Sequence, residues 1–236
     1  MRRRRALALI SSSLLLAACG GSASLATASP SAPATIAPTA APATSAPATP
    51  TPTAAGAGWT VTAASKAVVS VREQLVGVSL PSDAVLTATG ATGTFKPNAD
   101  GTFSADSKIT FDVTTLASDN RDRDNFVKMD TLQTRQFPKA DFVPTKATGL
   151  TLPLATTGTF TFKLTGNLTI HGKTKAVTFD VVAKRNGGDL TATATLSPSV
   201  KFGDFGMTAP SVPFRVVSIV DEIRLVVELV ATGAGA

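Results

Sequence analysis

From Trp59 onward, apolar and polar residues alternate with a period of two. Phe160, Phe162, Leu164, Leu168 and Ile170 share one parity, and Thr161, Lys163, Thr165, Asn167 and Thr169 hold the other. Val177, Phe179, Val181 and Ala183 form the next apolar face; Leu190, Ala192, Ala194 and Leu196 follow, then Ile223, Leu225, Val227 and Leu229. Such alternation predicts strands with one face buried and one wet. The connections are short: His171-Gly172-Lys173 turns one strand into its neighbour, and Asn186-Gly187-Gly188-Asp189 turns the next. Glycine and asparagine at these steps supply the positive φ that tight hairpins require. Gly166 interrupts a strand and predicts a bulge or bend. The pattern predicts an all-β meander of about eight antiparallel strands, which must close or double over to remove its edges.

One stretch breaks the alternation. Ser118 or Asp119 is placed to cap a short helix, with Asp122 in its first turn favoured by the helix dipole. Phe126, Met129 and Leu132 would cover one end of the barrel, and Pro138 stops any extension.

Upstream of Trp59 the composition changes. Met1–Arg5 is a charged n-region, and Ala6–Leu16 is an apolar stretch too short to span about 30 Å of hydrocarbon. It fits a signal peptide over residues 1–18. Leu16-Ala17-Ala18-Cys19 resembles the bacterial lipobox, in which the cysteine thiol accepts a diacylglyceryl group. A plain secretory peptide with an incidental cysteine is the alternative. Residues 19–58 are rich in Ala, Pro, Ser and Thr, with prolines at 30, 33, 38, 42, 47, 50 and 52. That composition predicts a lipid-anchored disordered linker with polyproline II character, reaching on the order of 100 Å. Residues 59–231 then form the single folded domain.

Composition narrows the chemistry. The formal charge is +6, from 22 basic and 16 acidic residues, but Arg2–Arg5 would leave with the signal. The remaining charges are scattered, so there is no footprint for nucleic acid. One cysteine excludes an intramolecular disulfide. His171 is the single histidine, which argues against a multi-histidine metal site, and it reads as a turn residue. Asp119, Asp122 and Asp124 fail as a calcium loop because Asp124 stands where the EF-hand needs glycine. Their better reading is a solvated helix start, paired with Arg121 and Arg123. No nucleophile motif is visible, and neither catalysis nor a cofactor is expected.

An ordered series of segments resembles the YceI-like family. The matching pieces are Trp59-Thr60-Val61, Gly93-Thr94-Phe95, Arg121-Asp122-Arg123-Asp124 and Gln136-Phe137-Pro138-Lys139-Ala140-Asp141-Phe142. They continue with Gly166-Asn167-Leu168-Thr169-Ile170-His171-Gly172-Lys173-Thr174-Lys175 and Phe202-Gly203-Asp204-Phe205-Gly206-Met207. The sequence departs from the family at Thr62-Ala63-Ala64-Ser65-Lys66 and in the longer connection over residues 77–92. The resemblance implies a lipocalin-like barrel that binds a polyisoprenoid or related lipid. It would make Phe95, Phe111, Phe126, Phe160, Phe162, Leu164, Leu168, Val177, Phe179 and Val181 candidates for lining a ligand cavity.

Inward phenylalanines serve equally as plain core, so two functions stand. The first is an exported lipoprotein, anchored to the membrane through Cys19 on its extracytoplasmic side, that sequesters or carries an isoprenoid-type lipid. The second is a packed barrel acting as a structural or interaction module of the envelope. The sequence does not fix the oligomeric state.

Overall fold

The computed structural model describes residues 58–212 and 214–233. The expected signal peptide, Cys19 and the linker lie outside the described residues. Among the described residues ten strands form a single antiparallel sheet: β1 (Trp59–Val61), β2 (Lys66–Leu75), β3 (Ser82–Ala88), β4 (Thr92–Phe95), β5 (Lys108–Asp112), β6 (Lys139–Thr148), β7 (Thr157–Ile170), β8 (Lys173–Asn186), β9 (Asp189–Leu196) and β10 (Val216–Gly233).

The ten segments make an eight-strand closed barrel. β1 and β2 lie end to end along one edge of β10, while β9 holds the other edge. β3 pairs with β2, and β4 with β1, so these too form one interrupted strand. The ring then runs through β5, β6, β7, β8 and β9 back to β10. Closure pairs the edges that an open sheet would present to other chains. At the break between β1 and β2, the fully buried Ser65 hydroxyl accepts from the Val230 N–H at 2.9 Å and donates to the Val230 carbonyl at 3.1 Å. One side chain thus repairs the ladder where the backbone leaves it.

The hairpin at His171-Gly172 has both φ values positive, 50° and 70°, and joins paired Ile170 and Lys173 as the sequence predicts. The expected bulge sits elsewhere than at Gly166. β7 runs in unbroken register against β8, and the irregularity falls on β6, where Pro144 faces Gly166 and Lys146 faces Thr165. Pro144 has no N–H to give the ladder, and a bulge is where a strand accommodates that loss. Gly166 is small for a packing reason. A Cβ there would lie 2.4 Å from Phe142 Cζ and 2.6 Å from the Val143 carbonyl oxygen. The parity of β7 therefore holds along its whole length.

The helix α1 (Arg121–Phe126) starts one residue later than the sequence suggests. Asn120 caps it, its side chain accepting from the N–H groups of Asp122 and Arg123. Ser118 instead donates its N–H and hydroxyl to the Asp124 carboxylate. A π-helical turn, Val127–Thr131, follows. It turns Met129 outward, 45% exposed, while Leu132 is buried. Of the three residues expected to cover the barrel end, Phe126 and Leu132 face the interior and Met129 does not.

Candidate ligand cavity

The barrel is not packed solid. A cavity of about 510 Å³ runs through it, lined almost wholly by apolar side chains from all eight strand positions. Phe162, Leu164, Ala192, Ala194 and Val227 point inward by parity and line this space, yet each is only half-buried. Inward residues of a filled core would be sealed. These retain accessible surface because the space beside them is empty.

Of the ten candidate residues, Phe95, Phe111, Phe126, Phe162, Leu164, Leu168, Phe179 and Val181 lie on the cavity wall. Two do not. Val177 faces inward but is buried within the core, on β8 where the 3-10 turn Phe202–Phe205 packs against that strand. Phe160 lies near the far end of β7, and its ring folds back along its own strand over Gly158. A Cβ at Gly158 would lie 3.2 Å from Phe160 Cζ. The Phe142 ring, edge-on to Phe179 at 5.2 Å, is a wall residue that the alternation pattern did not single out.

The two ends of the cavity differ. One end is bordered by α1, the end of β2 and the loop before β10. Glu73 lies there on the inward parity of β2, only 6% exposed, and accepts from Arg123 at 2.8 Å. Arg123 also donates to Asp119 at 2.6 Å, and Arg215 pairs with Asp122 at 3.0 Å. Glu73, Asn120, Asp122, Arg123 and Arg215 all border the cavity. At this mouth Arg123 is thus shared by two carboxylates, Glu73 and Asp119, while Arg215 and Asp122 pair one to one. Asp119 and Asp122 are taken by arginines and Asp124, which is buried, by Ser118; of the two arginines expected to pair with these acids Arg123 does so, and Arg121 makes no ion pair among the described residues. Asp122 pairs with Arg215 rather than with a neighbouring arginine. The signal for Glu73 was present: Ala67, Val69, Val71 and Leu75 share its parity.

At the other end Trp59 stacks near Phe95, with ring centroids 6.4 Å apart. The Arg185 guanidinium sits 5.0 Å from the centre of the Trp59 ring. Arg185 is 5% exposed and donates to the carbonyls of Gly187 at 2.9 Å and Leu154 at 2.7 Å. It therefore ties the β8–β9 turn and the loop over residues 149–156 across the barrel floor. His171, in its turn, contacts the Phe205 carbonyl through Nδ1 at 3.3 Å and packs edge-on against Phe137. It lies outside the cavity wall, in the turn role expected of it.

Residues 59–231 match the family model described as the YceI-like domain. The chain belongs to the YceI-like family. Relatives include a UPF0312 protein of Pseudomonas putida, 36% identical over 135 residues, and one of Pseudomonas fluorescens, 37% identical over 131 residues. Each match takes in 50% of this chain and 64% of the relative, so the chain spans less than two thirds of the length of these relatives. Among solved structures, Burkholderia cenocepacia BcnA superposes with a TM-score of 0.54 at 22% identity, covering 73% of this chain and 99% of that one. A polyisoprenoid binding domain from Saccharophagus degradans, implicated in plant cell wall breakdown, superposes with a TM-score of 0.55 at 11% identity, covering 75% and 98%. These likenesses establish the YceI-like barrel as the fold of this chain.

Proposed function

We propose that this YceI-like barrel binds a long apolar lipid of the isoprenoid class, as a quinone tail or polyprenyl chain, and sequesters or carries it without chemical change. The observation that carries the reading is the cavity of about 510 Å³, apolar along the wall and polar at one mouth. The energetics need no specific contact with the chain of the lipid. Each methylene moved from water into such a space contributes about 0.8 kcal/mol. A polar head group would remain at the mouth, beside Asn120, Arg123 and Arg215. The neighbouring Saccharophagus degradans domain, named for polyisoprenoid binding, supports the same ligand class. The packed-barrel interaction module is disfavoured by the half-buried inward residues.

The sequence supports export and anchoring. Lipidation at Cys19 and residence on the extracytoplasmic face of the membrane are part of the proposal. They rest on the lipobox after an eleven-residue apolar stretch. The test is native mass spectrometry of the chain carrying Cys19→Ser, before and after incubation with isoprenoid quinones and polyprenols. A bound hydrophobic mass is expected. A folded, empty protein that takes up neither class would return the case to the interaction module. In the producing bacterium, the unsubstituted chain should be cleaved before Cys19, carry the acyl mass and enter the detergent phase, and the Cys19→Ser chain should stay uncleaved at this site and carry no acyl mass.

A further inference from the structure

The mouth of the cavity is surrounded by apolar side chains that nothing covers among the described residues. The connection from β2 to β3 carries Val76 at 54% exposure, Val78 at 47% and Leu80 at 74%. Beside it, Phe214 in the turn before β10 is 95% exposed and Val217 at the start of β10 is 65% exposed. The two segments are joined, since the Val76 N–H donates to the Arg215 carbonyl at 3.0 Å and Leu75 pairs with Val216. Leu75, Val212, Val216 and Ile219 continue the same apolar surface into the cavity.

Local backbone geometry produces this exposure. β10 breaks register with β2 between Val216 and Ser218 and again between Ile219 and Ile223. Bulges re-aim side chains, and here Val217 and Val220 fall inside the two breaks and face outward. Phe214 has φ of 64°, a left-handed conformation that is an outlier for an aromatic residue. The chain spends free energy to hold a phenyl ring almost fully in water, and strain of this kind concentrates at binding and switch sites.

We infer that this rim docks on the surface of a lipid bilayer, with Leu80 and Phe214 inserting among the lipid chains at the cavity mouth. Three observations select a bilayer over other occupants. The rim is continuous with a cavity wall suited to lipid, so a docked barrel opens directly into the layer that holds its ligand. The charged groups around it are of both signs: Arg215 meets Asp122, Arg72 and Arg224 share Asp83, and Arg123 is shared by Glu73 and Asp119, so four arginines stand against four carboxylates and no single-sign field is there to select a charged protein. The tether also permits it. Gly58 enters beside Trp59, at the opposite end of the barrel. A chain the length of residues 20–57 spans on the order of 100 Å when extended. The barrel measures roughly 35 Å along its axis from strand length and tilt. An anchored chain can therefore turn its rim to the membrane. The docking inference rests on the lipid-binding reading for its purpose.

The test is flotation of the chain from residue 19 to the end carrying Cys19→Ser, so that neither an acyl group nor the apolar stretch Ala6–Leu16 contributes, with vesicles of phosphatidylcholine and of phosphatidylcholine mixed with phosphatidylglycerol. The chain should float with both. Adding Leu80→Asp and Phe214→Asp should lower the partition coefficient by about a hundredfold, roughly tenfold for each apolar side chain withdrawn. Val182→Asp, on the outer face of β8, should leave it unchanged; circular dichroism checks that each variant folds. Binding that survives the double substitution, no flotation at all, or flotation only with the anionic vesicles would overturn the inference. So would a concentration-dependent dimer that the double substitution dissolves and vesicles leave intact. Uptake of a short soluble isoprenoid alcohol by the double variant separates the two readings. Retained uptake with lost flotation supports both, whereas flotation of a chain that takes up no isoprenoid keeps the rim and removes the cavity ligand.

Discussion

Replacing Ala194 by phenylalanine should make the protein more stable and abolish lipid uptake. Ala194 lies mid-strand on β9, between Val181 of β8 and Val227 of β10, with its methyl group on the cavity wall. The residue is half-buried although it points inward, so a larger side chain enters empty space. Burying a phenyl side chain contributes about 1.5–3 kcal/mol. Fixing its rotamer returns up to about 1 kcal/mol. The net gain is about 1–2 kcal/mol, or a rise of roughly 3–6 °C in Tm for a domain of this size. The same ring displaces four or five methylenes of a bound chain. At about 0.8 kcal/mol each, binding weakens by about 3–4 kcal/mol, a factor of several hundred in Kd.

Denaturant unfolding and native mass spectrometry of the Cys19→Ser chain, with and without Ala194→Phe, measure the two effects separately. Opposite signs are the diagnostic result. In a filled barrel the extra ring would be overpacked and would cost about 1–3 kcal/mol. A destabilised variant would therefore refute the open cavity. A stabilised variant that still takes up lipid at the original affinity would place the ligand elsewhere.

Further substitutions probe the wall, the strand register and the surface charges. Phe162→Asp should destabilise the fold by at least about 3 kcal/mol or abolish lipid binding, because it puts an unpaired carboxylate in an apolar space; Lys163→Gln, one residue away on the outer face, should cost at most about 1 kcal/mol, and equal effects in urea unfolding would mean the parity is wrong. Gly166→Ala should cost about 1–3 kcal/mol through the clash with Phe142, and a crystal structure should show that ring pushed into the cavity; an unchanged midpoint of unfolding would dismiss the clash. The Lys175 ammonium beside Asp204, with the Lys201 N–H, holds the Asp204 carboxyl below the usual carboxylate range. Its contribution is complete above the unfolded value near pH 4 and is lost as pH falls through the depressed folded value. Asp204→Asn should flatten the acid limb of the stability curve below about pH 4 and leave its slope near pH 7 unaltered; a change confined to neutral pH would contradict the assignment.

The strands were legible because alternation is a direct imprint of a sheet with one buried face. Phe162, Leu164, Leu168, Phe179 and Val181 are on the wall for that reason. Alternation reports inside against outside, but not whether the inside is full. Phe160 and Val177 have the same parity as their neighbours, yet one closes over Gly158 and the other is buried where the loop before β10 packs in. The first turns on a glycine two residues away, which alternation does not weigh, and the second on a segment distant in sequence. The bulge was misplaced for a related reason. A glycine in a strand signals a close approach as readily as a bend, and the partner, Phe142, lies on another strand. The helix cap moved to Asn120 because Ser118, Asp119 and Asn120 are all competent caps, and the choice falls to the residue whose neighbours leave its side chain free.

Two charges on otherwise apolar parities give the tube its direction. Glu73 stands at the mouth with Arg123 as its partner and borders the open space. Arg185 stands at the far end, buried against Trp59; its Nε donates to the carbonyl of Gly187 and its Nη1 to those of Leu154 and Ala155. The first is buried at the mouth beside the more exposed Arg123; the second is a floor. Under the proposed function a lipid would enter tail first, and the floor would resist its passage through the other end. Arg185→Ala tests this. It strands carbonyl groups that cost about 1–3 kcal/mol each if left unpaired, offset in part by release of a buried cation. Stability should fall by about 2–4 kcal/mol, and bound lipid should dissociate faster in a transfer assay to acceptor vesicles. Arg185→Lys should behave in the same way, because an ammonium cannot reproduce the planar fork that reaches several carbonyls from one position. If Arg185→Lys restores both stability and the dissociation rate, a positive charge alone closes the floor. If neither substitution alters the dissociation rate, lipid does not approach that end, and the floor is structural support for the β8–β9 turn alone.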